Sequence, residues 1–154
     1  MITTKGVTWH AIVQQPEESE ATKALLTGTF GATPAVDMPG FVMIPFPDGT
    51  MLELYAPQAV PAYGYNDGIA IGFRVDDVET ASQELAAAGA ELLGEITRMS
   101  DIDYAYRHFR GPDGRVYGIN ESKPQPAQGS PPPAHQCWPV RPALVGQSTR
   151  TAMP

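Results

Sequence analysis

Pro47-Asp48-Gly49-Thr50-Met51-Leu52-Glu53 returns later in the chain as Pro112-Asp113-Gly114-Arg115-Val116-Tyr117-Gly118. Pro-Asp-Gly suits a tight turn between two strands: proline presets φ, aspartate bonds its own backbone, and glycine takes the left-handed position. Upstream of each copy lies a strand-like run, Trp9-His10-Ala11-Ile12-Val13 in the first case and Ile69-Ala70-Ile71-Gly72-Phe73 in the second. A helical pattern follows each run. Pro16 fits a first helical position, with Ala21, Ala24, Leu25 and Gly28 at helical spacing. In the second copy Asp76 and Glu79 form a candidate capping pair, Val78, Ala81, Leu85 and Ala88 make a stripe, and Gly89 is a stop.

Strand-like runs then cover about 33–38, 40–46 and 50–56, and again about 91–99, 102–110 and 115–121. Each half therefore reads β-α-β-β-β, over about 7–57 and 68–121. One such unit is too small to bury a stable core alone, so the two should combine. The expected fold is α+β: two βαβββ modules forming a curved mixed sheet around a concave pocket, with the helices on the outer face.

Length and charge bound the rest. The chain has 154 residues, 42% hydrophobic, with a net charge of −7. That balance disfavours nucleic acid and anionic membranes, which demand basic surfaces. No apolar run reaches membrane-spanning length, and no apolar leader opens the sequence, so a cytoplasmic protein is expected. The single Cys137 excludes an internal disulfide framework. All 17 acidic residues precede residue 123, whereas 123–154 hold eight of the 16 prolines, including Pro131-Pro132-Pro133. The reading is a folded domain over 1–122 and an extended Pro-rich tail, with Cys137-Trp138-Pro139-Val140 as its docking point.

This duplication resembles the vicinal oxygen chelate superfamily, which includes glyoxalase I, extradiol dioxygenases, methylmalonyl-CoA epimerase, and the fosfomycin and bleomycin resistance proteins. The marks are His10 in Thr-Trp-His-Ala-Ile-Val, Pro-Asp-Gly-Thr-Met-Leu-Glu-Leu-Tyr at 47–55, Phe-Arg-Val-Asp-Asp-Val-Glu at 73–79, and Gly-Pro-Asp-Gly at 111–114. The resemblance implies a small-molecule pocket. It fixes no single activity, because one fold hosts many chemistries.

Strand alternation assigns faces. Trp9, Ala11 and Val13, like Ile69, Ile71 and Phe73, are expected to pack on the helices. His10, Ile12 and Gln14, with Ala70, Gly72 and Arg74, are expected to line the concave side. Met51, Glu53 and Tyr55 face it too, as do Val116, Gly118 and Asn120. His10 and Glu53 then converge. Imidazole plus carboxylate is half of a site for a divalent metal such as Zn, Fe, Mn or Ni. In metal-dependent members the ligands come from the first and last strands of both halves. The second-half positions here are Ala70 and Gly118, which carry no donor. His10 and Glu53 could instead run metal-free acid–base chemistry, or form an inert pair in the pocket wall.

Tyr104, Tyr106 and His108 share one strand face, and the turn alignment sets Tyr106 and His108 opposite Phe41 and Met43. That row is expected to line the cavity and contact a flat ligand, with His108 a substitute metal donor. The expected function is a lyase- or isomerase-type enzyme acting through His10 and Glu53, with or without a metal. The alternative is a metal-free resistance protein that binds an antibiotic or metabolite. A homodimer is expected, because exposed sheet edges need cover.

Overall fold

Both Pro-Asp-Gly segments close the same turn with the same bonds. Asp48 Oδ1 accepts from the Thr50 amide at 2.9 Å, and Asp113 Oδ1 from the Arg115 amide at 3.1 Å. Gly49 and Gly114 take φ of +82° and +78°, a region glycine enters without strain. The fold is seen in a computed structural model that describes residues 1–99 and 103–122. The expected tail and its 137–140 patch lie outside the described residues.

The first half runs β1 (Val7–Val13), α1 (Pro16–Phe30), β2 (Val36–Met38), β3 (Phe41–Pro45) and β4 (Met51–Tyr55). A short turn at Asn66–Gly68 leads to β5 (Ile69–Arg74), α2 (Val78–Ala87), β6 (Glu91–Met99), β7 (Tyr104–Arg110) and β8 (Val116–Ser122). The strands make one curved, mixed eight-stranded sheet in the order β2-β3-β4-β1-β5-β8-β7-β6. Within each half the first and last strands pair in parallel, and β1 and β5 join the halves antiparallel. The α+β architecture of two βαβββ modules is as the repeat implied.

The helices cover one face unequally. Under α2, Val78 and Ala81 are fully buried among Val75, Ala105, Phe109 and Ile119. Its N-cap is Asp77, not Asp76: the Asp77 carboxylate accepts from the Thr80 amide. Glu121 Oε2 accepts a further bond from the Val78 amide at 2.7 Å. Helix α1 begins at Pro16 as expected, yet it buries no residue fully, and Leu25 and Phe30 stay 54% and 70% exposed. Only Leu26 and the following Ala32 reach the small cluster of Val42, Ile44 and Leu54.

One strand is turned over relative to the sequence reading. Trp9 pairs with Gly72 and Ala11 with Ala70, and directly paired residues share a face. Ala70 and Gly72 look into the concave side as expected, so Trp9 and Ala11 look there too. The parallel partner agrees, with Ala11 beside Glu53 and His10 beside Leu52. Matching Trp9 to Ile69 was therefore one residue out of step. Leu52 and Tyr117 are equivalent through the repeated turns, and their partners are His10 and Ile71.

Candidate active site

The concave face holds a cavity of about 110 Å³, room for several waters or a small organic molecule. Its floor comes from the central strands and is built around one indole. A side-chain carbon added at Gly72 would meet the Trp9 ring at 2.9 Å, and one at Gly118 would meet it at 3.1 Å. The two glycines make the space in which Trp9 lies. Met51, Glu53 and Tyr55 of β4 continue the floor, and Phe41 and Met43 of β3 form one wall. Tyr104, Tyr106 and His108 of β7 form the facing wall, while Met38, Ala59, Met99 and Asn120 fill the corners.

Glu53 is buried at 8% exposure. The Tyr55 hydroxyl donates to its Oε2 at 2.7 Å, and the Trp9 indole lies close enough to favour its charged form. Burial pushes the carboxyl above its usual range, and these two neighbours only partly offset that. The tyrosines around it titrate far from neutrality, because burial raises Tyr55, Tyr65, Tyr104 and Tyr106 alike. The Tyr65 hydroxyl is buried beside Tyr55 but outside hydrogen-bond geometry.

His108 is 4% exposed, and burial pulls its imidazole down to about 4. Its Nδ1 shares a short hydrogen bond with the Tyr63 hydroxyl, itself pushed up to about 12 by burial. Both groups are therefore neutral across the range between those values. The ring also packs against Trp9, Tyr106 and Tyr65, with centroids 5.1, 5.4 and 5.9 Å away. Its role in the wall is that of an aromatic surface with a polar edge.

Of the residues singled out from sequence, Glu53, Phe41, Met43, Tyr55, Tyr104, Tyr106 and His108 meet around the cavity. Three do not. His10 belongs to the opposite face with Leu52, so the expected His10–Glu53 pair does not form. Gln14 follows the same alternation, and its amide donates to the Thr22 hydroxyl on α1 at 3.0 Å. Arg74 has the right parity but reaches the first hairpin turn, its guanidinium beside Gly49 and Asp48. The reading missed Trp9 and the methionines at 38 and 99. Glycines 72 and 118 held the signal for Trp9, since two glycines facing one cavity leave space for a large side chain from a neighbouring strand.

The donor set does not fit a resident divalent metal. With His10 on the other face, Glu53 is the one carboxylate or imidazole on the concave side of the inner strands, facing Ala11, Ala70 and Gly118. His108 has one nitrogen committed to Tyr63. Among the described residues no three His, Cys, Asp or Glu side chains gather as ligands would.

Comparison with known proteins agrees with the fold. The sequence matches the family described as "Glyoxalase/Bleomycin resistance protein/Dioxygenase superfamily" over residues 9–116. Methylmalonyl-CoA epimerase from Mycobacterium tuberculosis superposes with a TM-score of 0.56 at 16% identity, covering 79% of this chain and 90% of that one. The Mn(II)-bound glyoxalase from Novosphingobium aromaticivorans gives 0.60 at 14% identity, covering 83% of this chain and 44% of the longer protein. The hypothetical protein BH1468 from Bacillus halodurans gives 0.58 at 16% identity, covering 80% and 98%. At these identities the likeness establishes the fold. No curated protein sequence matches. Among the described residues no helix is long and apolar enough to cross a membrane.

Proposed function

We propose that this chain, which belongs to the glyoxalase/bleomycin resistance protein/dioxygenase superfamily, binds a small, flat and largely apolar molecule in its trough without a resident metal. The observation that carries the reading is the composition of the lining: aromatic rings and methionines around a single buried carboxyl. Rings stack on a planar ligand, and unbranched thioether side chains adapt to its outline. Glu53, positioned by Trp9 and Tyr55, meets the ligand's one strongly polar group. Binding belongs to residues 1–122, and 123–154 form an appendage to it. Titrating the full chain with a library of planar heteroaromatic compounds, followed by NMR, tests this. Hits should perturb Trp9, Tyr104 and Tyr106 together; hits that consistently perturb other surfaces instead would refute it.

A second reading has its own support. A carboxyl raised by burial and facing a largely apolar cavity is suited to take a proton from carbon next to a carbonyl. That is isomerase-type chemistry, and one structural relative is a methylmalonyl-CoA epimerase. Glu53 would accept that proton, leaving an enolate, and deliver it to the carbonyl oxygen or to a neighbouring carbon, so one base suffices. Glu53-dependent deuterium uptake at the α-carbon of an aryl ketone in heavy water is the expected sign. Equal uptake with Glu53→Gln would remove this reading while leaving binding intact.

The proposal also keeps a cytoplasmic homodimer. Its support is the exposed apolar surface of the paired central strands, where Val7 and Ile69 are 40% and 56% exposed. Sedimentation of the full chain should return twice the monomer mass.

A further inference from the structure

We infer that the ligand of this trough is an organic cation, an ammonium or amidinium group carried on an aryl or alkyl body. The inference rests on the binding role proposed above and narrows it. Among the described residues the lining contains one carboxyl, Glu53, and no lysine or arginine. Arg74, expected from its parity to reach the concave side, is turned to the Gly49 hairpin. The buried imidazole, His108, is neutral at physiological pH. An anionic ligand would therefore enter an apolar, aromatic-lined space facing a carboxyl, with no described cation to pair it.

A cation meets the opposite situation. The lining includes the rings of Trp9, Phe41, Tyr104 and Tyr106, and the negative face of an aromatic ring attracts positive charge most strongly where water is excluded. The Tyr55 hydroxyl already holds the Glu53 carboxyl by a hydrogen bond, so little ordering remains to be done on binding. A cation beside Glu53 also compensates the burial that disfavours its charged form. The four methionines, 38, 43, 51 and 99, offer polarizable surface to the ligand's apolar body. At longer range the net charge of −7 draws cations toward the protein.

The test compares three probes of similar shape on the full chain: benzyltrimethylammonium, its neutral isostere neopentylbenzene, and benzenesulfonate. The expected result is binding of the ammonium at least ten-fold tighter than the hydrocarbon, with no binding of the sulfonate. Glu53→Gln should erase most of that preference. Tyr106→Leu should weaken the ammonium more than the hydrocarbon, which keeps the inference testable if the Glu53 variant folds poorly. Equal or tighter binding of neopentylbenzene would overturn the cation inference while leaving the trough a binding site. If none of the probes perturbs the trough, the inference and the binding role fall together.

Discussion

The two halves of the trough floor descend from the same β-α-β-β-β plan but are filled in opposite ways. On the first half, β1 and β4 present Trp9, Met51, Glu53 and Tyr55. On the second, β5 and β8 present Ala70, Gly72 and Gly118, and the large side chains move outward to Tyr104, Tyr106 and His108 on β7. The emptiness of the second half is what admits the Trp9 ring. One module contributes bulk and the other the space for it, so the pocket is a joint product. The same arrangement leaves the concave side of β5 and β8 without a carboxylate or imidazole to match Glu53.

The comparison breaks most severely at Trp9. Trp9→Ala removes the ring that both glycines accommodate. The expected cost is about 3–5 kcal/mol in a denaturant titration, as for other buried aromatic truncations. A loss below about 1 kcal/mol would show that the indole does not fill the floor.

His108 sharpens the contrast through pH. Burial lowers its imidazole from 6.5 to about 4, so the unfolded chain takes up the proton first as pH falls. The stability it contributes is complete above pH 6.5 and is lost as pH drops through about 4, by up to roughly 3 kcal/mol. Glu53 acts in the opposite sense. Its raised carboxyl favours the folded state at pH below the usual carboxylate range, and that benefit fades as pH rises through its folded value. Denaturation midpoints across pH 4–8 should show a flatter acid limb in His108→Gln, while Glu53→Gln should remove the opposing slope.

Gly72→Ala probes the empty half directly. The added methyl meets the Trp9 ring at 2.9 Å, and overpacking of this kind costs about 1–3 kcal/mol. In a Trp9→Ala background the same change should cost far less, and a double-mutant cycle measures the difference. Additive losses would mean that the two modules do not share this space. The smallest effect is expected on the outer face. Leu25 is 54% exposed on α1, so Leu25→Ala should stay within about 0.5 kcal/mol of the parent.

The sequence made the fold legible because its signals were repeated. Two Pro-Asp-Gly turns, two helix starts and two rising strands gave the modules, and the alternation of Met51, Glu53 and Tyr55 gave the correct face of β4. The face of β1 was not legible. An apolar string such as Trp9-His10-Ala11-Ile12-Val13 aligns almost as well one residue along, and a one-residue slip exchanges every side chain between faces. A bulge between Val7 and Trp9 adds to the ambiguity. Trp9 also looked like core, and it is core: it packs at 5% exposure while flooring the cavity. His10 drew attention because imidazole beside carboxylate suggests chemistry, but chemistry of that kind depends on the register that the string left open. The row of Tyr104, Tyr106 and His108 was easier, since both of its neighbours in alternation are polar or small.

The central claim is that Glu53 and Trp9 share the ligand face while His10 lies on the other. Isotope-edited NMR with labelled glutamate, histidine and tryptophan, recorded as a cationic aryl probe is titrated into the full chain, reads it directly. The account predicts coincident shifts of the Glu53 carboxyl and Trp9 indole signals at saturation, with the His10 imidazole unmoved. Movement of His10 together with Glu53, with Trp9 silent, would contradict it.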